Sequence, residues 1–166
     1  TDAIVRIDLT TICGSDLHIL GGHVPTVEPG RVLGHEGVGT VVETGAAVAG
    51  IAVGDRVLIS GITNCGSCRY CRVRMYSQCE NGGWIMGNTI DGTQADLLRV
   101  PFADRNLYPI PDGLSDERVL FLDDPVGTAY WSRGCWVTFT RARPTFAAHA
   151  FRVGTWSSEN RRGRGT

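Results

Sequence analysis

The sequence predicts a mainly β fold with short helices, carrying one metal-binding lobe. Three observations support this. Short stretches such as Ala3 to Leu9 and Thr93 to Pro101 alternate apolar and polar residues, the period of a half-buried strand. Glycine is frequent, at 22 of 166 residues, and the first 131 positions read as short strands and turns rather than long helices. Finally, Cys65, Cys68, Cys71 and Cys79 place four thiols within fifteen residues.

Composition bounds the class. With 42% hydrophobic and 20% charged residues, the chain is that of a globular domain long enough to bury a core. No apolar run approaches a membrane span and no signal-peptide pattern opens the chain, so no membrane partner is expected. Six cysteines, four of them in metal spacing, point to the reducing cytoplasm. The net charge of -1 hides an asymmetry: residues 1–131 carry nine Arg against sixteen acidic residues (-7), and residues 132–166 seven Arg against Glu159 (+6). This break divides a folded body, 1–131, from a basic tail, 132–166, expected to be disordered or non-native sequence, after a truncation or a shifted reading frame, and without function. An Arg-rich arm for nucleic acid is the rival reading of the tail. The acidic body argues against nucleic acid as a partner.

In chain order, Ala3 to Leu9 reads as a strand that opens mid-fold and needs a partner from elsewhere. Cys13 precedes a short helix with Ser15 as its expected N-cap, running to about Leu20 and ended by Gly21-Gly22. A lone Cys is usually a buried apolar side chain, but Ser15, Asp16 and His18 form a polar set where a core turn would be apolar. After His35-Glu36, the small Gly-rich alternation from Gly37 reads as a strand whose glycines allow close backbone packing. Gly54-Asp55 turns into another strand to Ser60, and the cysteine lobe spans 61–82. Thr93 to Pro101 alternates again, Pro109, Pro111 and Gly113 make a loop, and Ser115 caps a helix over Asp116 to Leu122.

Two residues between thiols is the spacing at which one turn aims both sulfurs at one ion, and an all-thiolate tetrahedral shell suits structural zinc. Disulfides fit poorly, because cysteines so close pair badly within one loop. Iron–sulfur ligation is the other use of such a run. Spacing and the absence of secretory features favour zinc. Four protein ligands leave no open position, so any chemistry lies elsewhere.

Three motifs in register carry a family resemblance. They are Cys13-Gly14-Ser15-Asp16-Leu17-His18, then Gly34-His35-Glu36 with Gly39, Gly45 and Val48, and then the four-cysteine lobe. Together with Gly54-Asp55-Arg56-Val57 and Asp124 four residues before Thr128, they resemble the zinc-dependent medium-chain alcohol dehydrogenases over residues 2–131. The resemblance implies a GroES-like catalytic domain, a partly open β-barrel, whose N-terminal strands are expected to be incomplete here.

By position, the resemblance implies a catalytic zinc held by Cys13, His35 and Asp124, with Glu36 able to enter or leave the shell and Asp16 orienting His35. Asp123 is the adjacent competitor, but only Asp124 keeps the offset to Thr128. Proton removal from an alcohol would pass through Ser15 to His18, and hydride would go to a nicotinamide ring beside Thr128. Ser15, His18 and Thr128 are thus the residues expected at the cofactor. For Ser15 the bland reading is an N-cap, and for His18 a solvated helix histidine. His23 and His149 receive no role. The implied partners are a small alcohol or carbonyl substrate and, through the lobe, a second copy of the chain. A zinc-binding module without catalysis is the alternative.

The family continues with a Rossmann fold for NAD or NADP. Residues 132–166 contain no Gly-x-Gly-x-x-Gly after an apolar strand. No Rossmann domain is therefore expected in this chain, and no dehydrogenase turnover by it alone. Which alcohol, and NAD versus NADP, are not legible.

Overall fold

The computed structural model describes residues 1–130; Trp131 and the basic tail 132–166 lie outside the described residues. The chain divides into a compact unit Thr1–Gly127 and a second unit beginning at Thr128, of which the described residues 128–130 are helical and exposed.

The first unit is built on five antiparallel strands: β1 (Ala3–Thr10), β2 (Gly37–Thr44), β3 (Arg56–Ile59), β4 (Leu97–Val100) and β5 (Leu107–Pro109). Their order is β4-β1-β2-β3-β5, so the sheet is open between its two edge strands. Short helices decorate it: α1 (Gly14–Leu20), α2 (Arg69–Arg72), α3 (Ala103–Asn106) and α4 (Asp116–Leu120). Among the described residues no helix is long and apolar enough to cross a membrane.

The alternation read in the sequence becomes burial on one face. Ala3 and Val5 of β1, Val57 and Ile59 of β3, and Leu98 and Val100 of β4 converge on Met86 and Leu107 as the main core. Each of the larger side chains contributes on the order of 1.5–3 kcal/mol, and Ala3 less. A second cluster lies under α4, where Val119 and Leu120 pack on Val38 with Leu9 and Leu58 beside them. Ser115 stands at the N-cap position of α4, as expected, and Asp116 in its first turn pairs with Arg56 of β3. α4 is thereby fixed on the sheet, and with it the turn that leads to Asp124.

Gly39 faces Ile7 across β1 and β2, and a Cβ there would collide with the Arg6 carbonyl and Val5. The close approach inferred from the Gly-rich alternation is therefore real.

Three expectations differ in detail. The N-cap of α1 is Cys13, not Ser15, which sits one residue inside the helix. The strand expected from Thr93 is only Leu97–Val100. Thr93 and Gln94 instead donate their amides to the Gly34 and Leu33 carbonyls at 3.0 Å each, so a loop rather than a strand claims them. The stretch read as loop around Pro109 contains the edge strand β5, whose proline falls at its last position, where a missing N–H costs no ladder bond.

Candidate metal centres

The four cysteines of the lobe meet. Their Sγ atoms all lie within 4.8 Å of one another. The lobe is tied at its base by reciprocal backbone bonds between Thr63 and Gly83, at 2.9 and 2.7 Å. It is anchored to α3 by Asn106, which is fully buried. Asn106 Oδ1 accepts from the Asn64 amide at 2.8 Å, and its Nδ2 donates to the carbonyls of Pro101 (2.8 Å) and Asn64 (3.1 Å).

Donors surround the sulfurs. The Cys65 amide donates to Cys79 Sγ at 3.3 Å, and Ser67 Oγ and Asn81 Nδ2 each reach Cys65 Sγ at 3.6 Å. Bonds from Ser67, backbone first, together with Asn81, bring the Cys65 thiol down to about 5. Burial pushes Cys71 up to about 12. A convergent all-sulfur set with one thiol already poised as thiolate fits a soft divalent cation such as zinc.

A second set assembles from distant parts of the chain. Cys13, His35, Glu36 and Asp124 each bring a ligand atom within 4.8 Å of the others. Cys13 arrives at the end of β1, at the N-cap of α1. His35 and Glu36, both nearly fully buried, precede β2. Gly34 has φ +93°, and a Cβ there would press on Thr93 and Gln94, so glycine is required immediately before His35. Asp124 follows α4, with its Oδ2 3.6 Å from His35 Nε2, while Glu36 Oε1 lies 4.0 Å from the same nitrogen. One thiol, one imidazole and carboxylates, in a cluster with His35 and Glu36 buried and Cys13 and Asp124 half-buried, are a donor set that zinc accepts.

The surroundings fix these ligands. Glu36 receives the Thr11 hydroxyl on its carboxylate, and its carbonyl accepts from Thr10 (2.8 Å) and Thr93 (3.1 Å). The indole of Trp84 meets the His35 ring edge-on at 5.9 Å. The buried Asp16 carboxylate does not bond His35. Its Oδ2 accepts from the Cys13 amide at 2.8 Å and from Gln94 at 3.2 Å, so it positions Cys13 rather than the imidazole. Asp123 turns away to accept the Gly61 amide at 2.7 Å. Burial, aided by the nearby Asp124 and Glu36 charges, raises its carboxyl to about 7. Asp124, not Asp123, stands in the donor set.

Ser15 Oγ is buried and has no hydrogen-bond partner. His18 is exposed three residues on, the next helical neighbour on that face. Thr128 is exposed and belongs to the second unit.

The alcohol dehydrogenase GroES-like domain family matches residues 1–112. This chain belongs to that family. A probable zinc-binding alcohol dehydrogenase of Mycobacterium tuberculosis is 39% identical over 152 residues, covering 91% of this chain and 38% of the relative. A zinc-dependent alcohol dehydrogenase of Streptococcus pneumonia, solved in its apo form, superposes with a TM-score of 0.69 at 55% identity, over 72% of this chain and 34% of that one. An Escherichia coli alcohol dehydrogenase solved with the cofactor NADH superposes with a TM-score of 0.63 at 32% identity, over 72% and 34% of the two chains. The chain thus spans well under half the length of the relatives it matches.

Sequence reasoning did not find Asn106, Thr11 or Trp84. Asn106 lies far along the chain from Asn64, and Trp84 from His35, and no spacing marks them. Thr11 stands two residues before Cys13, yet a lone threonine there is unremarkable.

Proposed function

We propose that this chain is the metal-holding part of an alcohol dehydrogenase that oxidises a small alcohol to an aldehyde or ketone, or runs the reverse, with hydride exchanged with NAD or NADP. The observation that carries this reading is the second donor set. A zinc-binding module without catalysis needs the cysteine lobe alone and has no use for Cys13, His35, Glu36 and Asp124 converging on one point. Cys65, Cys68, Cys71 and Cys79 hold a structural zinc. Cys13, His35 and Asp124 hold the catalytic one, with Glu36 as a further donor.

Bound there, zinc makes a hydroxyl oxygen more acidic. The chain's own residues do the rest. Thr11 holds the Glu36 carboxylate, and Asp16 holds the Cys13 backbone, so the donor set is preorganised. Ser15, a buried hydroxyl with its hydrogen bond unmade, takes the substrate proton and passes it along α1. His18, exposed, delivers it to water. Thr128 lies beside the nicotinamide in the full enzyme. Residues 132–166 carry no Gly-rich phosphate loop. The unbridged cysteines among the described residues suit the cytoplasm. Exposed Val73, Met75 and Tyr76 give the lobe an apolar face for a second copy of the chain.

Cobalt substitution tests the reading. Adding trifluoroethanol to the cobalt-loaded chain is expected to perturb the visible bands of the mixed-donor site and leave the all-thiolate bands unchanged. Bands of both sites indifferent to the alcohol would overturn it.

A further inference from the structure

We propose that His23 is a positioning residue for His18, holding its imidazole with the proton on Nδ1 so that Nε2 presents its lone pair to the incoming proton. The inference rests on the reading of His18 as the end of a proton path.

The geometry begins with the end of α1. Its last turn closes through bonds from the Gly21 amide to the Leu17 carbonyl and from the Gly22 amide to the Ile19 carbonyl, both 2.9 Å. Gly22 then adopts φ +75°, and the chain doubles back. The His23 amide donates to the His18 carbonyl at 2.9 Å, which ties the two backbones directly. Their side chains follow: the rings meet edge-on, centroids 5.6 Å apart at 62°, with the two Nδ1 atoms 3.4 Å apart. Gly21 leaves the space for this. A Cβ at position 21 would stand 3.0 Å from His23 Cε1 and 3.1 Å from its Nδ1, on the flank of the ring that meets His18. Two glycines and a backbone bond thus serve one juxtaposition of imidazoles on an otherwise solvated helix end.

A hydrogen bond between the two facing Nδ1 atoms holds a single proton, with one ring donating and the other accepting. If His18 donates, its remaining nitrogen is an acceptor, the form a terminal base needs. His23 Nδ1 then also stabilises the cation produced when His18 Nε2 gains a proton, and His18 afterwards gives that proton to water. The opposite arrangement would leave His18 with a proton already on Nε2 and no capacity to take another there. This is the logic by which a second group fixes the tautomer of a catalytic histidine. Here that second group is another imidazole.

Long-range proton–nitrogen correlation spectra of the uniformly nitrogen-15-labelled chain, recorded with both rings neutral, read the tautomers directly. His18 is expected as Nδ1–H and His23 as Nε2–H. In His23→Leu, His18 should revert to the Nε2–H form that an isolated imidazole prefers. His23→Asn, whose amide oxygen can still accept, should keep Nδ1–H. A wild-type His18 that is Nε2–H overturns the proposal. So does a His18 that ignores His23→Leu, or one that reverts equally in His23→Asn. The readout needs neither metal nor nicotinamide, so its failure is distinct from failure of the cobalt experiment, which tests the dehydrogenase reading itself.

Discussion

The four thiols of the lobe come from fifteen consecutive residues, whereas Cys13, His35, Glu36 and Asp124 are gathered from positions spread between 13 and 124. The lobe needs little from the rest of the molecule: one bridge at Thr63 and Gly83, and one buried amide at Asn106. The mixed-donor cluster needs β1 to end beside the start of β2 and α4 to be packed on the sheet, so it forms only when the core does. The difference separates two ways of building a metal site. One is a short loop whose folding is metal binding. The other is a cluster held by the sheet, and in the reading proposed above it leaves a position for chemistry when Glu36 stands back from the ion.

The largest expected effect comes from breaking the lobe. Zinc binding supplies on the order of 10 kcal/mol of folding free energy in small all-protein zinc sites. Cys71→Ser should therefore remove one zinc and open residues 64–82 to limited proteolysis, with β1 and β2 still protected in hydrogen exchange. Loss of protection throughout the sheet would show that the two regions are not independent.

Breaking the sheet should do the reverse. Ile59 is fully buried in β3, opposite Gly37 in the adjacent β2. Ile59→Ala is expected to cost about 2–5 kcal/mol. The mixed-donor site should then lose zinc at a lower chelator concentration than the lobe, as metal titration would show.

Asn106→Ala probes the joint between the regions. It strands the buried Asn64 amide, at a cost of about 1–3 kcal/mol. Faster amide exchange confined to the base of the lobe, with zinc content unchanged, is the expected result.

The smallest effect is at the surface. Asp104 accepts the Gly50 and Ala49 amides, which hold its carboxyl below the ordinary 3.8. A depressed acid contributes stability above that value and loses it as pH falls through the depressed one. Asp104→Asn should lower the denaturation midpoint near neutrality and make no difference in strong acid.

Much of both sites was legible, for unequal reasons. The lobe is local, so spacing alone picked out the four thiols that meet. Cys13, His35 and Asp124 were legible only through the family resemblance, because nothing in composition or period links positions so far apart. The strands of the core followed from alternation, and Gly39 from the need for close packing. Thr93 misled because its alternation serves a buried hydroxyl that bonds the Glu36 carbonyl rather than a sheet ladder. Asp16 misled because a carboxylate three residues after Cys13 caps its own helix before it can reach His35. β5 was hidden by prolines, which the edge of a sheet tolerates.

The most direct test is zinc per chain, read by native mass spectrometry on protein purified without added metal and repeated on Cys13→Ser. Two zinc ions in the wild type and one in the variant are expected. A single zinc in both, removed only when the lobe thiols are modified, would contradict the presence of a second, catalytic centre.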